Sequence, residues 1–252
     1  MKKTKIVLNE EYSHLSTFIN QLPFFFETEG DLIYEGRNTV KTYRYYNLSI
    51  NVKRYRRPNI VNKIAYTYIR RSKADRAYHN AIEVLQRQIE TPTPIAFIET
   101  YRKGLLDYSF FVSIQCEYPH SIRDFYHGPL KGNEPLMTAL AQYTAKIHEA
   151  GIYHKDLSPG NILYAQEGRR FYFSIIDINR MSFETVGLKK GCRNWERLFD
   201  DDEIYTFLAQ QYAASRTYNP DICKKLILWY YHKFKRTFRL KKRILHPFKT
   251  KK

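Results

Sequence analysis

The stretch His154-Lys155-Asp156-Leu157-Ser158-Pro159-Gly160-Asn161 places a carboxylate, an amide and two loop-forming residues in one short segment. The tight Leu157–Gly160 loop can bring the side chains of Asp156 and Asn161 to the same side of a cleft. In the pattern H-x-D-x-x-x-x-N the Asp takes the proton of an attacking hydroxyl, and the Asn holds a phosphate-bound metal. The bland alternative is a polar turn before the apolar strand Ile162-Leu163-Tyr164. A second acidic position weighs against it. Asp177 ends the alternating run Phe171-Tyr172-Phe173-Ser174-Ile175-Ile176, and a carboxylate at the end of a buried strand is costly unless it is paired or binds a cation. Glu167-Gly168 supplies a turn between the two apolar runs, so Asn161 and Asp177 are expected side by side on a hairpin. There they would hold Mg²⁺, an oxygen-seeking ion bound by one or two protein groups together with nucleotide phosphates.

Several elements must position these groups. From Glu134 to Ala150 the residues Leu136, Leu140, Tyr143 and Ile147 recur at helical spacing, and Gly151 ends the helix three residues before His154. His148 on this helix reads as a hydrogen-bonded core residue. Upstream, Ser49-Ile50-Asn51-Val52-Lys53 is a strand ending in a lysine that would grip the α- and β-phosphates of ATP. Before it, Leu32-Ile33-Tyr34, the turn Gly36-Arg37-Asn38 and Val40–Leu48 read as a hairpin. Gly36 would lie over the nucleotide phosphates, although a full phosphate loop has more glycines. Residues 10–20 read as a short helix ended by Pro23, and Asn59–Gln88 as helix-rich, stopped by Thr91-Pro92-Thr93-Pro94. Ile95–Tyr101 and Tyr108–Glu117 complete a five-stranded antiparallel sheet. Glu117-Tyr118-Pro119 is the expected hinge, with Glu117 at a nucleotide-binding position where backbone groups face an adenine. Helices are expected again at Trp195–Phe199, Asp202–Ala214 and Pro220–Leu240.

At 252 residues and 43% hydrophobic, the chain can fill one large or two modest cores. Cys116, Cys192 and Cys223 are odd in number and far apart, which suits reduced thiols in a cytosol. Neither a signal-peptide core nor a membrane-spanning run is present in the sequence. The formal charge is +17, and Ile222–Lys252 alone holds twelve Lys and Arg with no Asp or Glu. So local an excess attracts polyanions, nucleic acid and acidic lipid surfaces among them. Nucleic acid ranks last, because the 22 tyrosines alternate within apolar strands as core residues do and form no RNA-binding signature.

These residues resemble the lipopolysaccharide kinase (Kdo/WaaP) family, particularly its short versions from Bacteroidetes-like bacteria. The likeness runs through Val52-Lys53-Arg54-Tyr55, Arg71-Ser72-Lys73-Ala74, Thr91-Pro92-Thr93-Pro94-Ile95, the loop from His154 to Asn161, and Asp177-Ile178-Asn179-Arg180-Met181. The resemblance implies a single two-lobed protein-kinase-like domain of the α+β class. Its sheet lobe would be residues 1–117 with a leading helix, its helical lobe 118–240, and its basic tail 241–252. It further implies an enzyme that uses ATP and Mg²⁺ to phosphorylate a sugar hydroxyl, Kdo or heptose, of the lipopolysaccharide inner core. Asp156 would be the catalytic residue, Lys53, Gly36 and Glu117 would bind nucleotide, and Asn161 and Asp177 would bind metal.

The chain departs from protein kinases in three places. No carboxylate stands at Ala77-Tyr78-His79, where a helix glutamate would pair with Lys53, and Glu83 lies a turn later. Ser158 replaces the lysine two residues after the catalytic Asp, and no A-P-E segment follows Asp177. These absences favour a small-molecule or glycolipid acceptor over a protein one. The single glycine of the Gly36 turn and the missing helix glutamate support the alternative of a pseudokinase or basic scaffold that binds an anionic surface without catalysis. The tail, with Lys241, Lys242, Arg243, Lys249, Lys251 and Lys252 around Ile244, Leu245 and Phe248, suits peripheral contact with an anionic leaflet. The expected location is the cytoplasm, at the inner face of the inner membrane.

Overall fold

The structure, a computed structural model that describes residues 3–245, divides into two units. The first is Met1–Glu117 with Ile175–Arg180, and the second is Tyr118–Ser174 with Met181–Lys252.

In the first unit, β1 (Lys3–Leu8) precedes a 3₁₀ turn at Glu10–Leu15 and α1 (Ser16–Phe25). Strands β2 (Asp31–Glu35), β3 (Thr39–Tyr45) and β4 (Leu48–Tyr55) follow, then α2 (Ile60–Ile64), a π-helical turn at Ala65–Ile69 and α3 (Lys73–Gln86). Strands β5 (Pro94–Arg102) and β6 (Leu105–Ile114) close the unit. The sheet is antiparallel with order β1-β5-β6-β4-β3-β2. It has six strands where the sequence suggests five. The extra one is the edge strand β1, whose half-polar Lys3-Thr4-Lys5 start carries little strand signal. Pairing with β5, Ile6 opposite Ile98, fixes it.

Residues 10–20 are only partly α-helical, and Pro23 does not end α1, which runs on to Phe25. The expected Val40–Leu48 run is two strands, because Tyr46 adopts a positive φ of 52° and turns the chain. Lys53 does not end its strand, since β4 continues to Tyr55. Most of β5 and β6 is buried on both faces. Leu15, Phe18, Ile19 and Leu22 pack with Ile50, Val52, Ile98 and Val112 on one face. On the other, Tyr78 of α3 lies edge-on to Phe97 at 5.5 Å. Ser72 caps α3 by accepting from Asp75 N.

In the second unit, β7 (His120–Ser121) leads to α4 (Glu134–Glu149), β8 (Ile152–His154), β9 (Ile162–Glu167) and β10 (Arg170–Ile175). After Arg180 come β11 (Met181–Phe183), α5 (Leu188–Asn194), α6 (Asp202–Ser215) and α7 (Pro220–Leu245). Strands β9 and β10 are hydrogen-bonded neighbours, which makes the expected hairpin, and β7 flanks β9. Trp195–Phe199 is a turn rather than a helix. Its backbone is satisfied by Tyr205 of α6, whose hydroxyl donates to Trp195 O and accepts from Phe199 N.

Helix α7 buries Cys223, Ile227 and Tyr231. This stripe is one residue displaced from the Ile222, Leu226, Tyr230, Phe234, Phe238 ridge that sequence spacing suggests, and Ile222 and Phe238 are exposed. The expected membrane tail lies mostly outside the described residues. No described helix is long and apolar enough to cross a membrane.

Candidate active site

Within the first unit, the candidate nucleotide residues come from a strand and from the segment after β10. Lys53 lies on β4, opposite Val40 on one side and Phe111 on the other. After β10 the chain is tied to the α3–β5 connection, where Thr91 Oγ1 donates to Ile175 O at 2.7 Å and Ile175 N donates to Glu90 O. Asp177 then takes a positive φ of 57°, a left-handed conformation that aspartate tolerates better than most residues. Asn80 of α3 clamps the far side of this turn by donating to Ile178 O at 2.7 Å.

So held, Asp177 Oδ1 accepts from Lys53 Nζ at 2.5 Å and from Asn179 Nδ2 at 2.6 Å. Lys53 also lies 5.5 Å from the centre of the Tyr55 ring. Burial raises the Tyr55 pKa well above its usual value, and the Asp177 carboxylate raises it further. No glutamate of α3 reaches Lys53. Glu83 pairs with Arg87 at 2.7 Å, while the buried Asp75 faces Lys5, Arg71 and His79.

Gly36 sits in the turn between β2 and β3, its N–H donating to Asn38 O, and Asn38 Oδ1 accepts from Arg56 N. Glu117 is exposed beyond β6. The structure thus brings Lys53 and Asp177 together and leaves Gly36 and Glu117 on separate turns of the unit.

Within the second unit, the loop between β8 and β9 is supported from below by a buried relay. Tyr212 of α6 bonds His148 Nδ1 at 2.8 Å, His148 Nε2 bonds Asn194 Oδ1 at 3.0 Å, and Asn194 Nδ2 donates to His154 O at 2.8 Å. Asn194 uses its oxygen toward His148, which assigns the proton to His148 Nε2. Burial depresses the His148 pKa to about 4, so the ring is neutral. His148 is therefore the hydrogen-bonded core residue expected from sequence. Gly191 makes room for the relay, because a Cβ there would lie 2.1 Å from Tyr212 Oη.

Above this base, Asp156 N donates to His154 Nδ1 at 3.1 Å. Arg197 Nη1 donates to Asp156 Oδ1 at 2.5 Å, and its guanidinium lies 5.0 Å from the Phe234 ring centre. Asn161 Nδ2 donates to Asp156 O at 2.9 Å, which leaves the amide oxygen as the group a cation can use. Asp156 and Asn161 are thus joined, which puts a carboxylate beside an amide oxygen.

The carboxylate of Asp177 in the first unit and the amide oxygen of Asn161 in the second are each of the hard oxygen type that suits Mg²⁺. Among the described residues no cluster of three or more His, Cys, Asp or Glu is placed to hold a metal by itself. Arg197, Asn194 and Tyr212 carry no local sequence signal. Asn179 has one, since it stands two residues after Asp177.

Comparison with known proteins gives a family and a fold. The model of the lipopolysaccharide kinase (Kdo/WaaP) family matches residues 25–214. A solved structure of WaaP in complex with acyl carrier protein is similar with a TM-score of 0.63 at 14% identity, over 92% of this chain and 98% of that one. No curated protein matches by sequence.

Proposed function

The chain belongs to the lipopolysaccharide kinase (Kdo/WaaP) family, and from that premise we propose that it moves the γ-phosphate of ATP to a hydroxyl of Kdo or heptose in the lipopolysaccharide inner core. The observation that carries the reading is the 2.5 Å contact between Lys53 and Asp177. It joins a phosphate-gripping cation to a metal-type carboxylate from distant parts of the chain.

In this reading Lys53 binds the α- and β-phosphates, and the Gly36 turn covers them. Asp177 and Asn161 would hold Mg²⁺, which would supply charge neutralisation to the nucleotide phosphates. Asp156, oriented by Arg197, accepts the proton of the acceptor hydroxyl as its oxygen forms a bond to the γ-phosphorus. The bond from that phosphorus to the β,γ-bridging oxygen breaks, and ADP leaves with the electron pair. The residues around Glu117 present backbone groups to the adenine. The acceptor is anchored in the cytoplasmic leaflet of the inner membrane, and the enzyme works there as a peripheral protein.

The second reading, a non-catalytic binder of anionic glycolipid, is favoured by one feature: Lys53 has Asp177 for its partner and no helix glutamate. Incubating the purified protein with γ-labelled ATP, Mg²⁺ and extracted lipopolysaccharide separates the two. Label in the core sugars, with the matching mass increase in core from cells that carry the gene, is the expected result. ATP binding without any transfer would leave the binder reading standing.

A further inference from the structure

A basic basin lies in the first unit beside α2 and α3, a cavity of about 580 Å³. Arg37, Arg56, Arg70, Lys73, Arg76 and Arg180 line it, and no Asp or Glu does. The nearby Asp107 is already engaged, pairing with Arg57 and with Lys63. Arg70 and Arg76 flank the Tyr66 ring at 4.6 and 5.9 Å from its centre. Arg76 Nε is buried without a hydrogen-bond partner among the described residues. Burial, then the neighbouring Arg37, Arg180 and Arg76, lower the Lys73 pKa. Cations crowded this way repel one another, and guanidinium forks suit phosphate or carboxylate oxygens.

The basin has an apolar neighbour. Ile60, Val61, Ile64, Tyr68 and Ile69 of α2 and the π-helical turn are all exposed, Val61 by 71% and Ile69 by 79%. This element is fixed to the sheet. Thr67 Oγ1 donates to Lys63 O and accepts from Leu106 N, and Asn59 caps α2 by accepting from Asn62 N. A ten-residue projection held to the sheet, with five large apolar side chains in water beside a basic cavity whose lining holds no carboxylate, has the layout of a surface that meets both a headgroup and an acyl layer.

We infer that the basin and the apolar face of residues 60–69 dock the protein on a membrane glycolipid whose headgroup bears at least two anionic groups. The headgroup phosphates or carboxylates enter the basin, while Ile60, Val61, Ile64, Tyr68 and Ile69 dip into the acyl boundary. The inference deepens the proposed function and rests on it only in taking the docked lipid to be the phosphate acceptor. Docking here places the attachment in the first unit, independently of the C-terminal tail.

The test is flotation of the full chain with vesicles of phosphatidylcholine alone or with added cardiolipin, a lipid with a doubly phosphorylated headgroup. Calorimetry with Mg²⁺ and a non-hydrolysable ATP analogue is run on the same preparations. Two variants read the two halves: Arg70→Glu for the basin, and Val61→Asp with Ile69→Asp for the apolar face. All three positions are exposed, so folding is spared, and Arg76→Gln, at a half-buried position, is expected to lose flotation with them. Wild type is expected to float with cardiolipin vesicles only, and each exposed-site variant to lose about tenfold in bound fraction while keeping nucleotide affinity.

Unchanged flotation of the variants would assign attachment to the tail and overturn the inference. So would equal binding to pure phosphatidylcholine, or loss of self-association in the Val61→Asp, Ile69→Asp variant without any loss of flotation. Glucose 1,6-bisphosphate covers the soluble source: if it binds in the basin while vesicles recruit nothing, the site serves a free sugar phosphate and the docking inference fails. If it is displaced by the ATP analogue, the basin belongs to the nucleotide site and the inference also fails. Absence of nucleotide binding in the wild type would sink the proposed function and leave the vesicle result to decide the docking.

Discussion

Arg197 approaches Asp156 to 2.5 Å, and the carboxylate expected to receive the acceptor proton is oriented by a guanidinium from beyond α5. Ser158 occupies the position where protein kinases carry a loop lysine, and the cation paired with Asp156 is Arg197. Its own position is set by the Phe234 ring of α7 and by Glu196 at 3.7 Å. Helix α7 thereby contributes to a site that it does not itself form.

Asp156→Ala is expected to lower phosphoryl transfer by roughly 10² to 10⁴ while ATP affinity is retained, because this carboxylate acts on the acceptor. Single-turnover transfer and calorimetry on the same preparation check both halves. Near-wild-type turnover would remove Asp156 from the catalytic role.

Arg197→Ala is predicted to reduce kcat by about tenfold or more through loss of carboxylate orientation, with the KM for ATP unchanged. Arg197→Lys, which keeps the charge but not the planar fork, is expected to recover part of the rate. An unchanged kcat in both variants would show that the pair is only a surface ion pair.

For Asp177→Asn the expected outcome is loss of the Mg²⁺ enhancement of nucleotide binding, since a neutral amide replaces the charged ligand of a hard cation. Titrations with ATP in the presence and absence of Mg²⁺ measure it. Full retention of the enhancement would place the metal elsewhere.

His148 makes stability depend on pH. Its pKa falls from 6.5 to about 4 on burial, so between those values the unfolded chain binds the proton that the folded chain refuses. Stability therefore falls as pH drops from about 6.5 toward 4, by roughly 3 kcal/mol over the full window. Urea unfolding at a series of pH values should show a steeper acid decline for wild type than for His148→Gln. Parallel profiles would mean that His148 is not held neutral in the fold.

The loop from His154 to Asn161 was legible as a motif because its residues are close neighbours in the chain. Two of their hydrogen bonds, Asp156 N to His154 Nδ1 and Asn161 Nδ2 to Asp156 O, stay inside that segment. The same holds for the β9–β10 hairpin, whose turn follows from Glu167-Gly168. Contacts that close over long separations left no such trace. The Arg197–Asp156 pair spans 41 residues and the Lys53–Asp177 pair spans 124.

Strand β1 escaped notice because half of it is polar and its pairing partner, not its composition, makes it a strand. On α7, two apolar stripes one residue apart both satisfy the helical period. Packing against α5 and α6 selected Cys223, Ile227 and Tyr231, a choice that periodicity cannot make.

The segment Ile175–Arg180 belongs by its contacts to the first unit although most of the second unit's loop and hairpin precede it in the chain. Lys53 leaves the ribosome 124 residues before its partner Asp177, a delay of roughly ten seconds at ordinary synthesis rates. Until then Glu90 O, Thr91 Oγ1 and the Asn80 amide lack the backbone groups they bind in the finished fold. A fragment ending at Glu117 would carry Lys53 without its carboxylate partner, and two fragments cut there could rebuild the pair only by exchanging this six-residue insert. The order of translation thus closes the Lys53–Asp177 pair first, and the loop that holds Asp156 is completed later, when Asn194, Arg197 and Tyr212 have been made.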